Sequence, residues 1–334
     1  MSKTILVIGG AGYVGSHACK ALAAAGDQPI CFDNLSNGHD WAVKWGPLMR
    51  GDVLNPADLD AAFSKYKPEA VMHFAALIEV GESVKRPGDF YRTNVTGTLN
   101  VLEAMERAGV KNIVFSSTCA VHGDVGDALI CETSPIAPIS PYAKTKAVVE
   151  GMLSDFSTIN GLKAVALRYF NASGADPDGE LGEAHDPESH LIPIACQAAL
   201  GTRAGLFIYG EDYDTPDGTC VRDYIHVSDL ADAHVKALKW LDNVAPGVES
   251  FCLGGGVASS VRDVIETVKS VSGVDFPVTM KARRSGDAPK LVADVSKAKN
   301  VLGWTPMHSD LQTIVKTAWH WHKKQNELWL VGCP

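Results

Sequence analysis

The chain has 334 residues, of which 46% are hydrophobic and 21% charged, and a formal net charge of −9. That is length for about two domains with a sizeable core, and the acidic balance argues against a nucleic-acid partner while leaving a local basic pocket open. The apolar opening "ILVIGGAG" turns to glycine too soon for a secretory signal, and no apolar run nears the roughly 20 residues of a membrane span, so no membrane association is expected.

In chain order, β-rich runs at "TILVIG" (4–9), "PICFD" (29–33), "AVMHFAA" (70–76), "NIVFSS" (112–117) and "LKAVALRYF" (162–170) alternate with helical patterns at 14–26, 56–66 and 95–109. Gly26 and Gly109 are the expected helix stops. Alternating strands and helices with near-continuous apolar strands predict a doubly wound parallel sheet, which binds ligands at the carboxyl ends of its strands. After residue 171 the composition turns to "NASGADPDGELGEAHDPESH", a long functional loop leading into a second, smaller unit. The eight cysteines (Cys19, Cys31, Cys119, Cys131, Cys196, Cys220, Cys252, Cys333) are scattered without a C-x-x-C pair. Reduced thiols in a cytoplasm are expected, with neither disulfides nor a zinc site. Residues 325–334 show no pattern and read as surface or disordered. The "WHWH" at 319–322 alternates along a helix, which separates its histidines, so no metal site is expected there.

"VIGGAGYVG" places Gly9, Gly12 and Gly15 between the first strand and the first helix. Glycines there permit a tight turn, close approach to a pyrophosphate at a helix N-terminus, and close helix–strand packing. Asp33 ends the second strand, 21 residues beyond Gly12 (33 − 12), where a carboxylate binds ribose hydroxyls and repels a 2′-phosphate. With no arginine following in "DNLSNGHD", the reading is NAD over NADP. Asp52, at another strand end, is the candidate for the adenine amino group. The fold class is therefore α/β: a doubly wound, Rossmann-type NAD-binding domain over residues 1–171 and a smaller α/β C-terminal domain over 172–334. A segment at about 218–240 is a candidate to return to the first domain.

"SPYAKTK" sets Tyr142 and Lys146 four residues apart, on one face of a helix opened by Pro141. A free phenol has a pKa of about 10 and is a poor base near neutrality; a nearby cation favours the phenolate, giving a general base for a hydroxyl group. Thr118, in the hydroxyl-rich end of "FSSTCAVHG", faces the same crevice and is placed to share that proton.

These residues resemble the extended short-chain dehydrogenase/reductase superfamily and, within it, the UDP-glucose 4-epimerase family. The resemblance runs to about residue 322 through "GGAGYVGSH", "DNLSNG", "HFAALIEVGESV", "NVTGTLNVLEAM", "FSSTCAVHG", "SPYAKTK", "LRYFNASGA", "DGTCVRDYIHVSDLADAH" and "RRSGDAP". It implies retained NAD, oxidation of a UDP-sugar at C4, rotation of the keto sugar and re-reduction, in a homodimer. Tyr142, Lys146 and Thr118 are the implied catalytic residues, with Lys146 on the nicotinamide ribose and, together with the positive nicotinamide ring, lowering the Tyr142 pKa. The implied cofactor contacts are Gly9, Gly12, Tyr13, Val14, Gly15, Asp33, Asn34, Asn37, Asp52, Val53, Phe74, Ala75, Ala76, Asn94, Ser116, Tyr142, Lys146 and Phe170. For the UDP-sugar they are Thr118, Tyr142, Asn171, Leu191, Phe207, Tyr209, Arg222, Arg284, Asp287 and Leu291, the arginines for the diphosphate and Asp287 for ribose.

Three positions depart from the family pattern. Ala76-Leu77-Ile78 stands where some members carry Gly-Leu-Lys, so a lysine contact to the cofactor is missing. His122 replaces a tyrosine, and Leu291 stands where an aromatic residue narrows the sugar pocket. The last leaves room for UDP-N-acetylglucosamine as a further substrate. Related 4,6-dehydratases need an acid–base pair after the threonine, where this chain has Cys119 and Ala120, and decarboxylases usually carry an acid there. A UDP-pentose 4-epimerase, a net alcohol dehydrogenase or a non-catalytic NAD-binding regulator are the remaining readings.

Overall fold

The computed structural model describes residues 2–284 and 288–330, the last three by backbone alone. The alternation in the first strand shows how the layers arise. In β1 (Thr4–Ile8), Ile5 and Val7 join one hydrophobic cluster while Leu6 and Ile8 join another. Successive side chains of a strand point to opposite faces, so a strand apolar at every position must be covered on both. All four are fully buried, each contributing about 1.5–3 kcal/mol by leaving water.

The chain continues through α1 (Tyr13–Ala24), β2 (Gln28–Asp33), β3 (Leu48–Arg50), α2 (Pro56–Tyr66), β4 (Ala70–His73), α3 (Val80–Lys85), α4 (Pro87–Phe90), α5 (Gly97–Ala108), β5 (Asn112–Ser116), α6 (Pro141–Asn160) and β6 (Lys163–Tyr169). There follow β7 (Asn171–Ser173), α7 (Leu191–Ala199), β8 (Leu206–Tyr209), β9 (Val221–His226), α8 (Val227–Leu241), β10 (Gly247–Leu253), β11 (Ala258–Ser260), α9 (Val261–Ser272), β12 (Val278–Lys281), β13 (Lys290–Leu291), α10 (Ser296–Leu302) and α11 (Leu311–Leu330). Seven strands form one sheet in the order β10-β6-β5-β4-β1-β2-β3, every pair parallel. Residues of α1 and α8 cover one face and those of α2, α5 and α6 the other. The expected doubly wound parallel sheet is present.

Local signals explain the helix limits. Asn55 caps α2, accepting from the Ala57 N–H at 3.3 Å, and Pro56 takes the first position. Ser140 caps α6 by accepting from the Ala143 N–H at 3.2 Å. Gly109 and Gly161 close α5 and α6 in the left-handed conformation (φ 71° and 67°). The helix expected over 95–109 is preceded by a wide π turn, Tyr91–Thr96.

A smaller part packs β11, β9 and β13 with β7, and β12 with β8, around a third core of α7, α9 and α11. Of the segment expected to return at about 218–240, β9 stays in the smaller sheet while α8 packs on α1, and beyond it β10 pairs with β6 as far as Leu253. β10 had no signal of its own because only its last three residues are buried. The short strand β3 ends just before Asp52, where a strand end was expected. The stretch from Gln325, expected to be surface or disordered, continues α11 to Leu330; no glycine or proline interrupts positions 311–330. No helix among the described residues is long and apolar enough to cross a membrane.

Candidate active site

A cavity of about 600 Å³ opens at the carboxyl ends of the central strands. Its floor is the turn between β1 and α1. Gly9 has φ +80°, and a Cβ there would lie 2.5 Å from the Ala75 nitrogen; one on Gly15 would lie 2.1 Å from the Gly9 oxygen. Those two glycines are demanded by the chain's own packing. Gly12 differs: a Cβ there meets only the Gly9 oxygen, at 3.4 Å. Its open side faces the cavity, beside a helix start that carries no side-chain cap and no acidic residue. Free N–H groups at such an end attract a diphosphate. At the end of β2, Asp33 accepts from the N–H groups of Ala11 (3.0 Å) and Leu35 (2.8 Å), which hold its carboxylate in the cavity wall. Burial nevertheless raises its pKa from the ordinary value, against those two donors. The donor set fits a dinucleotide.

Tyr142 and Lys146 sit in the first turns of α6, and both line the cavity. Lys146 is buried, and its ammonium donates to the Ser116 carbonyl at 2.7 Å. Loss of water pulls its pKa down to about 7, against the pull of Glu150 one turn further along. Glu150 is itself committed: it accepts from the Ser117 hydroxyl at 2.5 Å and pairs with the Arg168 guanidinium at 2.5 Å. The Tyr142 phenol stands in the same wall. Burial pushes its pKa well up, with a hydrogen bond to Thr118 opposing. Thr118 lines the cavity and accepts from the Ala120 N–H at 3.2 Å, which fixes its hydroxyl. Tyr169, bonded to the Ser116 hydroxyl at 2.5 Å, stands in the same wall.

Of the expected cofactor contacts, Gly9, Gly12, Tyr13, Val14, Gly15, Asp33, Asn34, Asn37, Asp52, Val53, Phe74, Ala75, Ala76, Ser116 and Phe170 all line this cavity. Asn34 donates to Asp52 at 3.0 Å, tying two of them together. Asn94 does not line it. Its carboxamide is used up inside the protein, donating to Leu77 O and Thr145 Oγ1 and accepting from the Leu77 N–H at 2.8–3.0 Å. Through these bonds it fixes the backbone at Leu77. His122 is buried and linked to Arg168 and the carbonyls of Ser134 and Pro135, a packing role away from the cavity.

On the sugar side Asn171 and Leu191 line the cavity; Asn171 donates to Asp223 O at 2.8 Å, anchoring β7 to β9. Phe207, Tyr209, Arg222, Arg284 and Leu291 do not line it. Phe207 and Tyr209 lie on β8 and Arg284 just past β12, while Leu291 on β13 stands opposite Arg222 on β9 in register. Lys281 lies over the Phe207 ring at 3.4 Å and Arg284 over Tyr209 at 3.8 Å. Arg222 donates to Ala288 O at 2.8 Å, and Leu291 packs against the main core. Two positions along β9 from Arg222, Tyr224 does reach the cavity. Asp287 lies outside the described residues. Tyr169, Tyr224, Glu183, His185 and His190 line the cavity without having been singled out; only their places at strand ends and in the long loop signalled them.

The described cysteines are all free thiols. The family model described as the NAD dependent epimerase/dehydratase family matches residues 5–251. The chain is 51% identical to a UDP-glucose 4-epimerase of Rhizobium leguminosarum bv. trifolii, over 97% of this chain and 99% of that protein. Among solved structures, UDP-glucose 4-epimerase from Brucella ovis in complex with NAD superposes with a TM-score of 0.93 at 49% identity, covering 96% of this chain and 98% of that one. The Bifidobacterium longum UDP-glucose 4-epimerase in complex with NAD+ and UDP superposes with a TM-score of 0.92 at 35% identity, covering 97% and 99%.

Proposed function

The chain belongs to the NAD dependent epimerase/dehydratase family, and from that premise we propose that it interconverts UDP-glucose and UDP-galactose. The sugar is oxidised at C4, the 4-keto ring turns over, and its opposite face is reduced. The observation that carries this reading is one cavity shared by the glycine turn, Asp33, Thr118 and Tyr142. Gly12, the N-terminus of α1 and Asp33 would hold the dinucleotide. Bound NAD supplies the hydride acceptor for C4 and a positive charge within the cavity.

Tyr142 takes the 4-hydroxyl proton as general base and later returns it. Burial alone holds this phenol protonated, so the transfer needs positive charge nearby. Lys146, one helical turn on, is the chain's own source of it. Thr118 shares the proton at the sugar oxygen. Elimination of water across C5 and C6 is disfavoured: the Cys119 thiol is pushed up to about 12 by burial, and Ala120 has no acid to offer.

Asn171 and Leu191 meet the sugar nucleotide in the cavity wall, and Arg222, Arg284 and Asp287 grip its diphosphate and ribose, with Phe207 and Tyr209 beside the uracil. Anchoring the nucleotide and leaving the hexose loosely held is what ring rotation requires, since uniformly tight binding would block the turn. Incubation with UDP-glucose, with product analysis and the absorbance of protein-bound NADH followed together, tests the reading; absence of UDP-galactose overturns it. A parallel incubation with UDP-N-acetylglucosamine tests the wider pocket attributed to Leu291.

The protein acts as a homodimer in the cytoplasm. In support, exposed apolar residues Val84, Tyr91, Leu99 and Val148 lie on packed neighbouring helical segments, and the described cysteines are unpaired. Analytical ultracentrifugation checks the dimer.

A further inference from the structure

We propose that Glu183, His185, Glu188 and His190 bind one divalent transition-metal ion of the zinc class in the wall of the cavity. The stretch "GEAHDPESH" brings the four together ahead of α7, with their donor atoms all within 4.8 Å of one another. His185 Nδ1 is 3.0 Å from Glu183 Oε1 and 3.9 Å from Glu188 Oε1. His190 Nδ1 meets the same Glu183 oxygen and lies 3.9 Å from Glu188 Oε1. Four donors around a tetrahedral ion, with bonds of about 2.0–2.2 Å, stand roughly 3.3 Å apart. The observed separations bracket that value.

The chemistry fits as well as the spacing. Two imidazoles and two carboxylates are a borderline-soft set suited to zinc, and the two negative charges balance a dication. The carboxylate side chains are 3% and 2% exposed, whereas those of His185 and His190 are 22% and 48% exposed. Two carboxylates held out of water require a partner cation, and the open imidazole side gives an ion its way in. The Glu188 carboxylate is also held in place, accepting from the Ser189 and His190 N–H groups at 2.8 and 2.9 Å, and the Trp321 indole fixes the backbone at Glu183 by donating to its carbonyl at 2.9 Å. Such outer contacts orient metal ligands. A nearby group of acids, Asp176, Asp178 and Glu180, is answered already by the Lys20 ammonium at 2.8–2.9 Å. Among the described residues, Glu183 and Glu188 have ion pairs to histidines alone.

Four protein ligands leave no open position, so the ion's work is structural. It would pin the loop to the start of α7, where Leu191 faces the cavity. The test uses untagged holoenzyme. Metal content is measured by mass spectrometry, then the chelator-treated protein is titrated with Co2+ and its visible spectrum recorded. One ion per chain with the intense bands of four-coordinate cobalt is expected. Loss of a direct ligand should weaken binding by no less than the ten- to hundredfold seen for outer-shell partners, so His185→Ala, His190→Ala and the conservative Glu188→Gln should each do so. Circular dichroism and bound-NAD content establish that each variant is folded. No cobalt bands, a weak octahedral spectrum, or affinity unchanged in folded variants would each overturn the proposal, leaving the four side chains as an ion-pair network. Occupancy is read without turnover, so a chain that failed to epimerise would still report it.

Discussion

Around Lys146 the charged and amide groups are committed to fixed partners: the ammonium on Ser116 O, Glu150 on Ser117 and Arg168, Asn94 on Leu77 and Thr145. Among β8, β9, β12 and β13 the cations are arranged otherwise. Arg284 and Lys281 rest on aromatic faces, and Arg222 donates to carbonyls of Ala288 and Val221. The first region is carried by strands of the seven-stranded sheet and a 20-residue helix; the second by strands of two to six residues and, for Arg284, by the segment that follows β12. The contrast teaches a division of labour. Redox chemistry needs a base and a cofactor held in fixed geometry; under the proposed function, nucleotide capture would use cations that exchange one set of contacts for another.

The largest effect that would sharpen this contrast is at Tyr142. Tyr142→Phe removes the base but keeps the ring, so kcat should fall about 10²–10⁴-fold while UDP-sugar binding by calorimetry is kept. Near-normal turnover would end the assignment. Next comes the sugar side: Arg222→Leu or Arg284→Leu removes charged hydrogen bonds worth about 1.5–3 kcal/mol, so KM should rise roughly ten- to hundredfold with kcat nearly kept. Should kcat fall instead and KM stay, the two regions would not divide the work as argued.

Gly15→Ala forces a Cβ to within 2.1 Å of the Gly9 oxygen. A backbone shift of that kind costs about 1–3 kcal/mol, readable as a lower Tm and reduced bound NAD. The smallest effect concerns Lys146 in cofactor-stripped protein. Its pKa is about 7 when folded and near 10.5 otherwise, so between those values the unfolded chain binds more protons. This residue's contribution to stability therefore rises with pH across that window. Denaturant titrations at several pH values should show Lys146→Met losing that slope relative to the parent; an identical slope in both would show that the ammonium is not desolvated.

How much of this was legible depended on sequence distance. The glycine turn, Asp33 and the Tyr142/Lys146 pair are local patterns whose spacing alone dictates geometry, and the structure puts them in one cavity. Asn94 shows the opposite case. Its partners are 17 and 51 residues away, and nothing in "NVTGTLN" announces that its amide is spent on them. The burial of Tyr142 was hidden for a related reason: the i,i+4 rule places a cation nearby but carries no information about how much water is removed. β10 escaped notice because its exposed first half hides the alternation. The loop holding Glu183 and His190 was recognisable as functional, but convergence of its side chains depends on the turn the backbone makes there.

The strand β10 has a consequence for any attempt to take the molecule apart. It is laid against β6 only after the chain has passed through β7, α7, β8 and β9 of the smaller part. Cleavage in the loop after β7 therefore frees no autonomous piece, because the downstream half still supplies the outermost rung of the large sheet. A gene fragment stopping at residue 171 would leave β6 as a naked rim, and such rims recruit copies of themselves.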